Sequence, residues 1–463
     1  MSVFSITLPL ILFIISLPGM AQSQRPQVLT LQQCIDIANQ NNLDVKDTRQ
    51  QVRSNQLAMD QARAKRLPAV NANTRVNYSV GRSINDFTNQ FIEDPVTSQT
   101  YGLNANVVLF NNLSQHYEMK QSELDLSAAQ TQVKRTRYDI ALQVTQAYAQ
   151  ILFNREILAN AQLTLASTAL QIERARKQVD AGVLPAADLL QLEAQRAGNE
   201  VAVIDAENNL DLSKLRLKQL MLIPAGDAIE IVVPEVNVEE DQLASLSSTT
   251  IYDEALQFQP SVQFARYQIE SARYGIAIAR ANAYPTLSAF GGIGSRYSSV
   301  APDVIPDGRD ENGNPQFKET TYFNQLDFNF NRFVGLQLNV PIFNNLQVRA
   351  AVGNARVRLE RARINEERIR NDLRQTIEQA YLDARLARKR YAGTQEQVKA
   401  LEASFENTSK RFNLGATDAI TYNQEQNNLN AARTDLIRNK YELYLRRKLL
   451  DFYRGKGIDM EQQ

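Results

Sequence analysis

The feature that most constrains this chain is an internal repeat. The segment Leu-Phe-Asn-Asn at 109–112 recurs as Ile-Phe-Asn-Asn at 342–345, so the two copies lie 342 − 109 = 233 positions apart in a chain of 463 residues. At the same spacing, Gly182 falls on Gly415. Self-similarity at one long spacing predicts a duplication of a single unit, and not an array of many short repeats.

Upstream of these segments, the spacing between the two copies is shorter. Leu67-Pro68 falls on Tyr284-Pro285 at a spacing of 284 − 67 = 217 positions. The change of 233 − 217 = 16 residues predicts an insertion in the second copy, between Tyr297 and Arg332.

Each copy contains a long stretch without proline that is rich in good helix formers. No proline occurs over 96–184, where Ala, Leu, Gln, Glu and Arg are abundant. In the second copy, apolar or small residues recur mostly at alternating steps of three and four, at Val352, Ala355, Leu359, Ala362, Ile369, Leu373, Ile377, Ala380, Ala384, Ala387 and Tyr391. This spacing is typical of a coiled-coil seam. We expect helical hairpins over 113–222 and 346–454, each with a long helix of roughly 100 Å that ends at a glycine.

Two extended segments precede each hairpin, and both alternate apolar with polar side chains. We predict strands at 69–82 and 100–110 in the first copy, and at 286–298 and 332–343 in the second. In each segment one face is apolar, and the opposite face is rich in Asn, Gln, Ser and Arg. This alternation is typical of a transmembrane barrel strand, although a soluble strand with one wet face shows it as well.

The repeated Phe-Asn-Asn sequence marks the joint between the last strand and the long helix of each copy. Phe110 and Phe343 are expected near a membrane interface, where barrel proteins concentrate aromatic residues. The asparagines that follow are expected to turn the chain and to cap the incoming helix with their side chains.

Four strands are too few for a closed barrel, because about eight are the practical minimum. An open sheet in lipid would leave the backbone groups at its edges without hydrogen-bond partners. The chain is therefore expected to form a trimer, with 3 × 4 = 12 strands and 3 × 4 = 12 main helices. The predicted fold class is an α+β membrane protein, in which a trimeric 12-stranded β-barrel continues into a 12-helix coiled-coil α-barrel.

The N-terminus is typical of an exported protein. The apolar run at 6–17 has signal-peptide length, and Gly19 and Ala21 are small residues ahead of a cleavage site before Gln22. After this segment no run of about 18 apolar residues occurs, so no transmembrane helix is predicted.

These segments give the expected domain boundaries. They are a signal peptide at 1–21, a first repeat at 22–222 that opens with a helix at 29–67, a linker at 223–246, a second repeat at 247–455 that opens with a helix at 247–284, and a C-terminal tail at 456–463.

Composition argues against several functional classes. Lys and Arg together number 51, as do Asp and Glu, so the net charge is zero and nucleic acid is not expected as a partner. Cys34 and His116 are the only cysteine and histidine, which argues against a zinc site, and Cys34 is expected to pack as a small apolar residue. The sequence also shows no nucleophile–base pair, Gly-rich phosphate loop or metal cluster.

At this point the sequence resembles the TolC family of outer-membrane efflux proteins over nearly the whole mature chain. The opening TLQQCIDIANQNNLDV is similar to the family's first helix, and VPIFNN is similar to its strand-to-helix motif, with Asn345 in place of the usual glycine. The resemblance implies a homotrimer in the outer membrane whose tunnel reaches into the periplasm. There it would dock on a periplasmic adaptor protein and an inner-membrane pump. The resemblance also implies a protein that is not an enzyme and needs no cofactor.

The resemblance also implies two functional regions at the hairpin turns. The residues matching the family's adaptor-contacting tips are Ala181, Gly182, Val183, Leu414, Gly415 and Ala416. The residues matching its periplasmic gate are Asp188, Phe412, Thr417, Thr421 and Gln424. Phe412 and Thr417 replace the Tyr and Arg of the family's latch, and Thr421 and Gln424 replace two aspartates. Asp188 has two readings, a charged gate ring or an N-cap of the return helix just after Pro185.

Two interpretations of the protein's function follow from these features. The chain is interpreted as the outer-membrane duct of a tripartite efflux or secretion system, and the alternative is a soluble periplasmic coiled-coil scaffold with a small β-domain. The apolar strand faces distinguish the two readings, because only the duct places them in lipid. The transported cargo stays open among drugs, metals and secreted polypeptides.

Overall fold

The fold is known from a computed structural model, which describes residues 27–85, 89–234, 247–311 and 313–456. The expected signal peptide at 1–21 lies outside the described residues, as do 235–246 of the linker and 457–463 of the tail. Within the described ranges, no helix is long and apolar enough to cross a membrane.

Helices dominate the chain, and they occur at matching positions in its two halves. They are α1 (Leu31–Asn41), α2 (Leu43–Ala64), α3 (Ser114–Asp180), α4 (Ala186–Met221), α5 (Ser248–Phe258), α6 (Pro260–Ala281), α7 (Tyr322–Phe328), α8 (Gln347–Asn413) and α9 (Ala419–Tyr453). The two long helices, α3 and α8, each contain 67 residues and start 347 − 114 = 233 positions apart. Helices α2 and α6 each contain 22 residues and start 260 − 43 = 217 positions apart.

The first helix of each half is divided, which corrects the expectation of single helices over 29–67 and 247–284. In the first half the break is at Asn42, whose extended backbone ends α1 and whose side-chain oxygen accepts the N–H groups of Asp44 and Val45 at the start of α2. In the second half Gln259 is extended before Pro260, which occupies the first position of α6. A residue before proline is sterically driven out of the helical conformation, and proline lacks the N–H that would continue the helix.

The strands form one main sheet and three small ribbons. They are β1 (Gln27–Leu29), β2 (Ala69–Ser79), β3 (Ser83–Ile84), β4 (Phe91–Ile92), β5 (Val96–Phe110), β6 (Ile229–Ile231), β7 (Thr286–Ser298), β8 (Val304–Arg309), β9 (Pro315–Glu319) and β10 (Asn331–Asn339). The main sheet is antiparallel in the order β10-β7-β5-β2, so β10 and β2 are its edges. The remaining pairs are β1 with β6, β3 with β4, and β8 with β9. The expected linker at 223–246 thus contains a short strand, β6, and α7 packs on β7.

The register gives the main sheet one apolar and one polar face. Leu338 pairs with Leu287, and Val107 pairs with Ala289. Since paired residues share a face, these side chains lie on one side of the sheet. On the other side Asn104 donates a hydrogen bond to Asn73 over 2.9 Å.

The joint between strand and long helix is a tight backbone turn, and the expectation of side-chain caps is wrong. Asn112 and Leu113 have positive φ values of 50° and 63°, and the Ser114 N–H donates to the Asn111 carbonyl over 3.0 Å. The second joint repeats this geometry 233 positions later, with φ values of 50° and 62°. Neither long helix has a side-chain cap, because two consecutive left-handed residues reverse the chain through the backbone alone. Asparagine adopts this conformation more readily than other non-glycine residues.

The largest apolar core lies where the first half meets the C-terminal helix. Tyr148 in α3 is 1% exposed, and its hydroxyl bonds to the carbonyl oxygen of Val232. Around it pack residues from α1, α4, β1, β6 and α9, including Ile437. Through this core, both ends of the described chain pack against the middle of α3.

Cys34 lies in this core and should be chemically inert. Burial raises the pKa of its thiol to about 12, so at pH 8 roughly one molecule in ten thousand carries the reactive thiolate. We expect iodoacetamide to alkylate the folded protein at least about a hundredfold more slowly than the urea-unfolded protein. Equal alkylation rates, measured by intact mass, would contradict the buried placement of α1.

Candidate functional site at the hairpin tips

The two helical hairpins turn beside each other. A β-carbon added to Gly415 would lie 3.8 Å from Val183 Cγ1, so the two turns are in contact. Gln178 near the first turn donates a hydrogen bond through Nε2 to the carbonyl oxygen of Asn413 at the second, over 2.9 Å. The tips of one chain therefore form one structural unit.

Both long helices end on a glycine in the left-handed conformation. Gly182 and Gly415 have φ values of 71° and 67°. One residue later the Val183 N–H donates to the Gln178 carbonyl over 2.9 Å, and Ala416 makes the equivalent bond over 2.8 Å. This pattern satisfies the last carbonyl groups of a helix, and a side chain at either glycine would strain the backbone.

The six residues expected at the adaptor-contacting tips are all exposed. They are Ala181, Gly182, Val183, Leu414, Gly415 and Ala416. Val183 is 61% exposed and Leu414 is 82% exposed, so each turn presents an apolar side chain to its surroundings.

Behind the exposed turns, the tips share a small apolar cluster. Phe412 is fully buried and stacks on Tyr422 with 4.9 Å between ring centres. Residues of the first hairpin complete the cluster, and they are Ile172, Ala175, Leu184 and Leu192. The residue that replaces the family's latch tyrosine therefore holds the two hairpins of one chain together by packing.

Asp188 joins the two tips and does not cap its own helix. Helix α4 begins after Pro185 without a side-chain cap. Instead, Asp188 Oδ1 accepts the backbone N–H of Ala419, at the start of α9, over 3.3 Å. A carboxylate at a helix N-terminus also interacts favourably with the helix dipole. The expected cap of its own helix is therefore absent, and Asp188 instead accepts a hydrogen bond at the start of the return helix of the other hairpin.

The other expected gate residues do not converge with Asp188 and Phe412. Thr421 and Gln424 are exposed, and Thr417 is half-buried. The Thr421 N–H donates to Oδ1 of Asp418, the N-cap of α9, over 2.7 Å. This hydrogen bond holds the pKa of Asp418 below its ordinary value, so the cap is intact at neutral pH and is lost only as acidification protonates the carboxylate.

Farther along the helices from the turns, the two hairpins meet along a seam of uncharged polar side chains, which the sequence analysis did not predict. The buried hydroxyl of Thr168 accepts hydrogen bonds from Asn199 over 2.9 Å and from Gln426 over 3.4 Å. Thr164 bonds to Asn430 over 3.2 Å. Among the described residues, both side-chain polar atoms of buried Asn423 have no partner. The run NQEQNNLN at 423–430 could have indicated this seam, because amide side chains are unusual at the contact positions of a coiled coil.

Comparison with known proteins agrees with this architecture. The sequence pattern of the family described as "Outer membrane efflux protein" matches residues 34–221 and 251–455. Outer membrane efflux protein BepC of Brucella suis is 20% identical over 353 residues, 75% of this chain and 70% of BepC. Alkaline protease secretion protein AprF of Pseudomonas aeruginosa is 21% identical over 326 residues, 68% of this chain and 61% of AprF. The crystal structure of CusC superposes with a TM-score of 0.76 at 17% identity, covering 95% of each chain.

The chain belongs to the family of outer membrane efflux proteins. The resemblance drawn from its motifs is confirmed. It is an outer-membrane duct of an efflux or secretion system and extends into the periplasm. Its fold is the mostly helical α+β fold of these channels.

Removing the buried ring of Phe412 should loosen the tips. We expect Phe412→Ala to cost about 3 kcal/mol of local stability, because the truncation leaves a cavity in a fully buried site. Hydrogen–deuterium exchange of the amides of Val183 and Ala416 should accelerate by about a hundredfold. Leu414→Ala, at an exposed position of the same turn, is the matched control and should exchange at the wild-type rate. Equal exchange in the two variants would show that the cluster does not hold the tips.

Proposed function

We propose that three copies of this chain close a 12-stranded barrel in the outer membrane and continue as a 12-helix tunnel into the periplasm. The observation that carries this proposal is the open sheet. Within the described chain, β2 and β10 each have a strand neighbour on one side only. Joining β10 of one copy to β2 of the next would satisfy both edges, and 3 × 4 = 12 strands are enough to enclose a channel.

The exposed apolar face supports the placement of this barrel in lipid. On β10, Val334 is 89% exposed, Leu336 68% and Leu338 64%. Exposed phenylalanines bracket this strand, with Phe330 before it and Phe343 after it. Nine residues of tilted strand span roughly 25 Å along the membrane normal, which matches the apolar band of outer-membrane barrels.

The helices below the sheet have the same open arrangement. Helix α2 packs on α3, α3 on α6, and α6 on α8, so α2 and α8 are the edges of this layer in one copy. In the proposed trimer each edge helix lies beside a neighbouring copy. The helical layer would then close into a ring below the barrel, as the sheet closes within the barrel. Two repeats in each chain would make this ring six similar units.

The tips are proposed as the docking surface for a periplasmic adaptor protein, which would connect the duct to an inner-membrane pump. The apolar side chains of Val183 and Leu414 support this role, because a few exposed apolar anchors carry most of the affinity in protein interfaces. AprF is named for the secretion of alkaline protease and BepC for efflux, so both cargo classes are candidates.

Charge on the apolar sheet face should prevent assembly in the membrane. We expect Val107→Arg and Leu336→Arg to abolish recovery of a folded trimer from outer membranes. Both residues pair with Ala289, level with the middle of β10, where a basic side chain facing lipid costs about 2–4 kcal/mol in each copy. The matched controls are Asn106→Arg and Gln337→Arg, one residue away on the polar face. The amount of trimer is measured from the gel migration of unheated samples. Normal assembly of the first pair would favour a soluble periplasmic scaffold over a barrel.

Asp188 and Phe412 are proposed to hold the periplasmic end of the duct closed by keeping the two tips of each chain together. For Asp188 this rests on the acceptor that it offers to the Ala419 N–H. We expect Asp188→Ala to raise single-channel conductance several-fold, and Asp188→Asn, which keeps an acceptor oxygen, to stay near the wild-type value. If instead the two variants showed the same change in conductance and cation selectivity, the charge and not the hydrogen bond would be the gate.

A further inference from the structure

A concave surface of about 470 Å³ lies where the helices of the second half meet the sheet. It is formed by the end of α6 and the beginning of α8, and its lining residues are Arg280, Ala283, Tyr284, Val348, Arg349, Val352, Gly353 and Arg356. The lining contains three guanidinium groups and no carboxylate. A β-carbon built on Gly353 would meet no atom within 4 Å, so the concavity is open at this point.

The three arginines are exposed, and none of them forms an ion pair among the described residues. The first carboxylate after them in the chain, Glu360, is bound by Arg363 over 3.4 Å. Cationic groups that share a concave surface repel each other. An arrangement of this kind is stabilised by an anion.

The first half provides an internal comparison, because its equivalent positions are neutralised. At spacings of 233 and 217, Arg349 falls on His116, Arg356 on Glu123 and Arg280 on Arg63. In the first half Lys120 pairs with Glu123 over 2.9 Å.

A second pair completes this neutralisation. Lys65 pairs with Glu118 over 2.7 Å. In the second half these two ion pairs are replaced by Asn282 with Ala351 and by Gly353 with Arg356, so both carboxylates and both lysines are lost and one guanidinium is gained. The excess positive charge is therefore specific to one half of a duplicated joint and is not a general property of its helices.

The geometry points to a phosphate site: we infer that Arg280, Arg349 and Arg356 bind a phosphate group, one per chain. Guanidinium groups bind phosphate oxygens through paired, charge-assisted hydrogen bonds, which a lone halide ion could not exploit. A phospholipid headgroup and a soluble phosphate species are the two sources of such a group, and both present anionic phosphate oxygens.

The place of the site in the fold makes a headgroup accessible. Arg349 is the third residue of α8, directly below the joint at which the apolar sheet ends. Side chains on a helix lean toward its N-terminus, which for α8 is the end nearest the sheet, so Arg356 is carried toward the same level. Exposed Tyr284 at the rim is typical of a membrane interface. The lipid source rests on the barrel proposed above, whereas the phosphate chemistry does not.

The test compares two double variants of the full-length protein. Arg349→Gln with Arg356→Gln removes two guanidinium groups from the concavity. Arg358→Gln with Arg361→Gln removes the same charge from exposed positions of α8 outside it. Each protein is first checked for trimer formation, so a failure of the proposed barrel would appear before any ligand is added.

Binding is then measured in two arms. In the first arm, inorganic phosphate is titrated into the detergent-solubilised protein. In the second, the protein is reconstituted with phosphatidylglycerol and phosphatidylethanolamine, and retained lipid is counted by native mass spectrometry. We expect the Arg349/Arg356 variant to lose about tenfold or more of its binding in at least one arm, and the Arg358/Arg361 variant to match wild type. If binding is lost in the lipid arm alone, the ligand of the arginines is a phospholipid headgroup. If binding is lost in both arms, free phosphate competes for the same site.

Two results would overturn the inference. One is equal binding by wild type and both variants, and the other is an assembled wild-type trimer that retains no phosphate species in either arm. If equal binding were accompanied by a change of ion selectivity in the Arg349/Arg356 variant, the arginines would act only as charges in the channel.

Discussion

The unpaired backbone groups along β2 and β10 are the constraint on which the rest of this structure depends. A strand in lipid has no water to satisfy its N–H and C=O groups, so an open edge costs several kcal/mol for each group left without a partner. Because the sheet of one chain has four strands, the chain cannot remove its edges alone. Helices satisfy their backbone groups internally, so the helical layer has no such requirement of its own. Because each strand pair is continuous with the helices on either side of it, closure of the sheet in the proposed trimer would bring the edge helices of neighbouring copies together.

The interior of one chain changes in character along the long helices. Near their middle, α3 and α9 meet through large apolar side chains such as Tyr148 and Ile437. Nearer the tips, the contact between hairpins becomes a seam of amides and hydroxyls around Thr168, and it ends in the apolar cluster of Phe412. Amide hydrogen bonds are readily exchanged for others of similar energy, whereas buried apolar contacts are not. A helical hairpin held in this way is firmly fixed at its middle, and its tip is held by a few residues.

Much of the layout could be predicted from the sequence because it depends on periodicity. The apolar alternation in β5 and β10 and the seam of α8 reflect local geometry, which fixes which side chains share a face. The spacings of 233 and 217 anticipated where α8 and α6 begin relative to α3 and α2. The break at Asn42 was missed because its side chain caps α2 by accepting backbone hydrogen bonds, and the helical pattern continues through it.

The candidate site was less predictable, because its geometry depends on contacts between distant parts of the chain. Asp188 was expected to act on its own helix, yet its partner is the N–H of Ala419, 231 positions later. The left-handed Leu113 was also unexpected, since leucine has no preference for that conformation and the turn is imposed by its position between strand and helix. The uncompensated arginines of the second half become visible only when the two halves are compared at the same depth in the fold.

The equal lengths of α3 and α8 follow from the way the tips are joined. Each helix contains 67 residues, although the segments that precede them differ by an insertion of 16. An insertion in the loops beyond the sheet changes only that end of the molecule, where the longer loop of the second half contains β8, β9 and α7. An insertion in either long helix would move its turn by about 1.5 Å per residue and would separate Val183 from Gly415. Contact between the tips therefore restricts length changes to the outer end, while charges at the joint of the second half remain free to diverge.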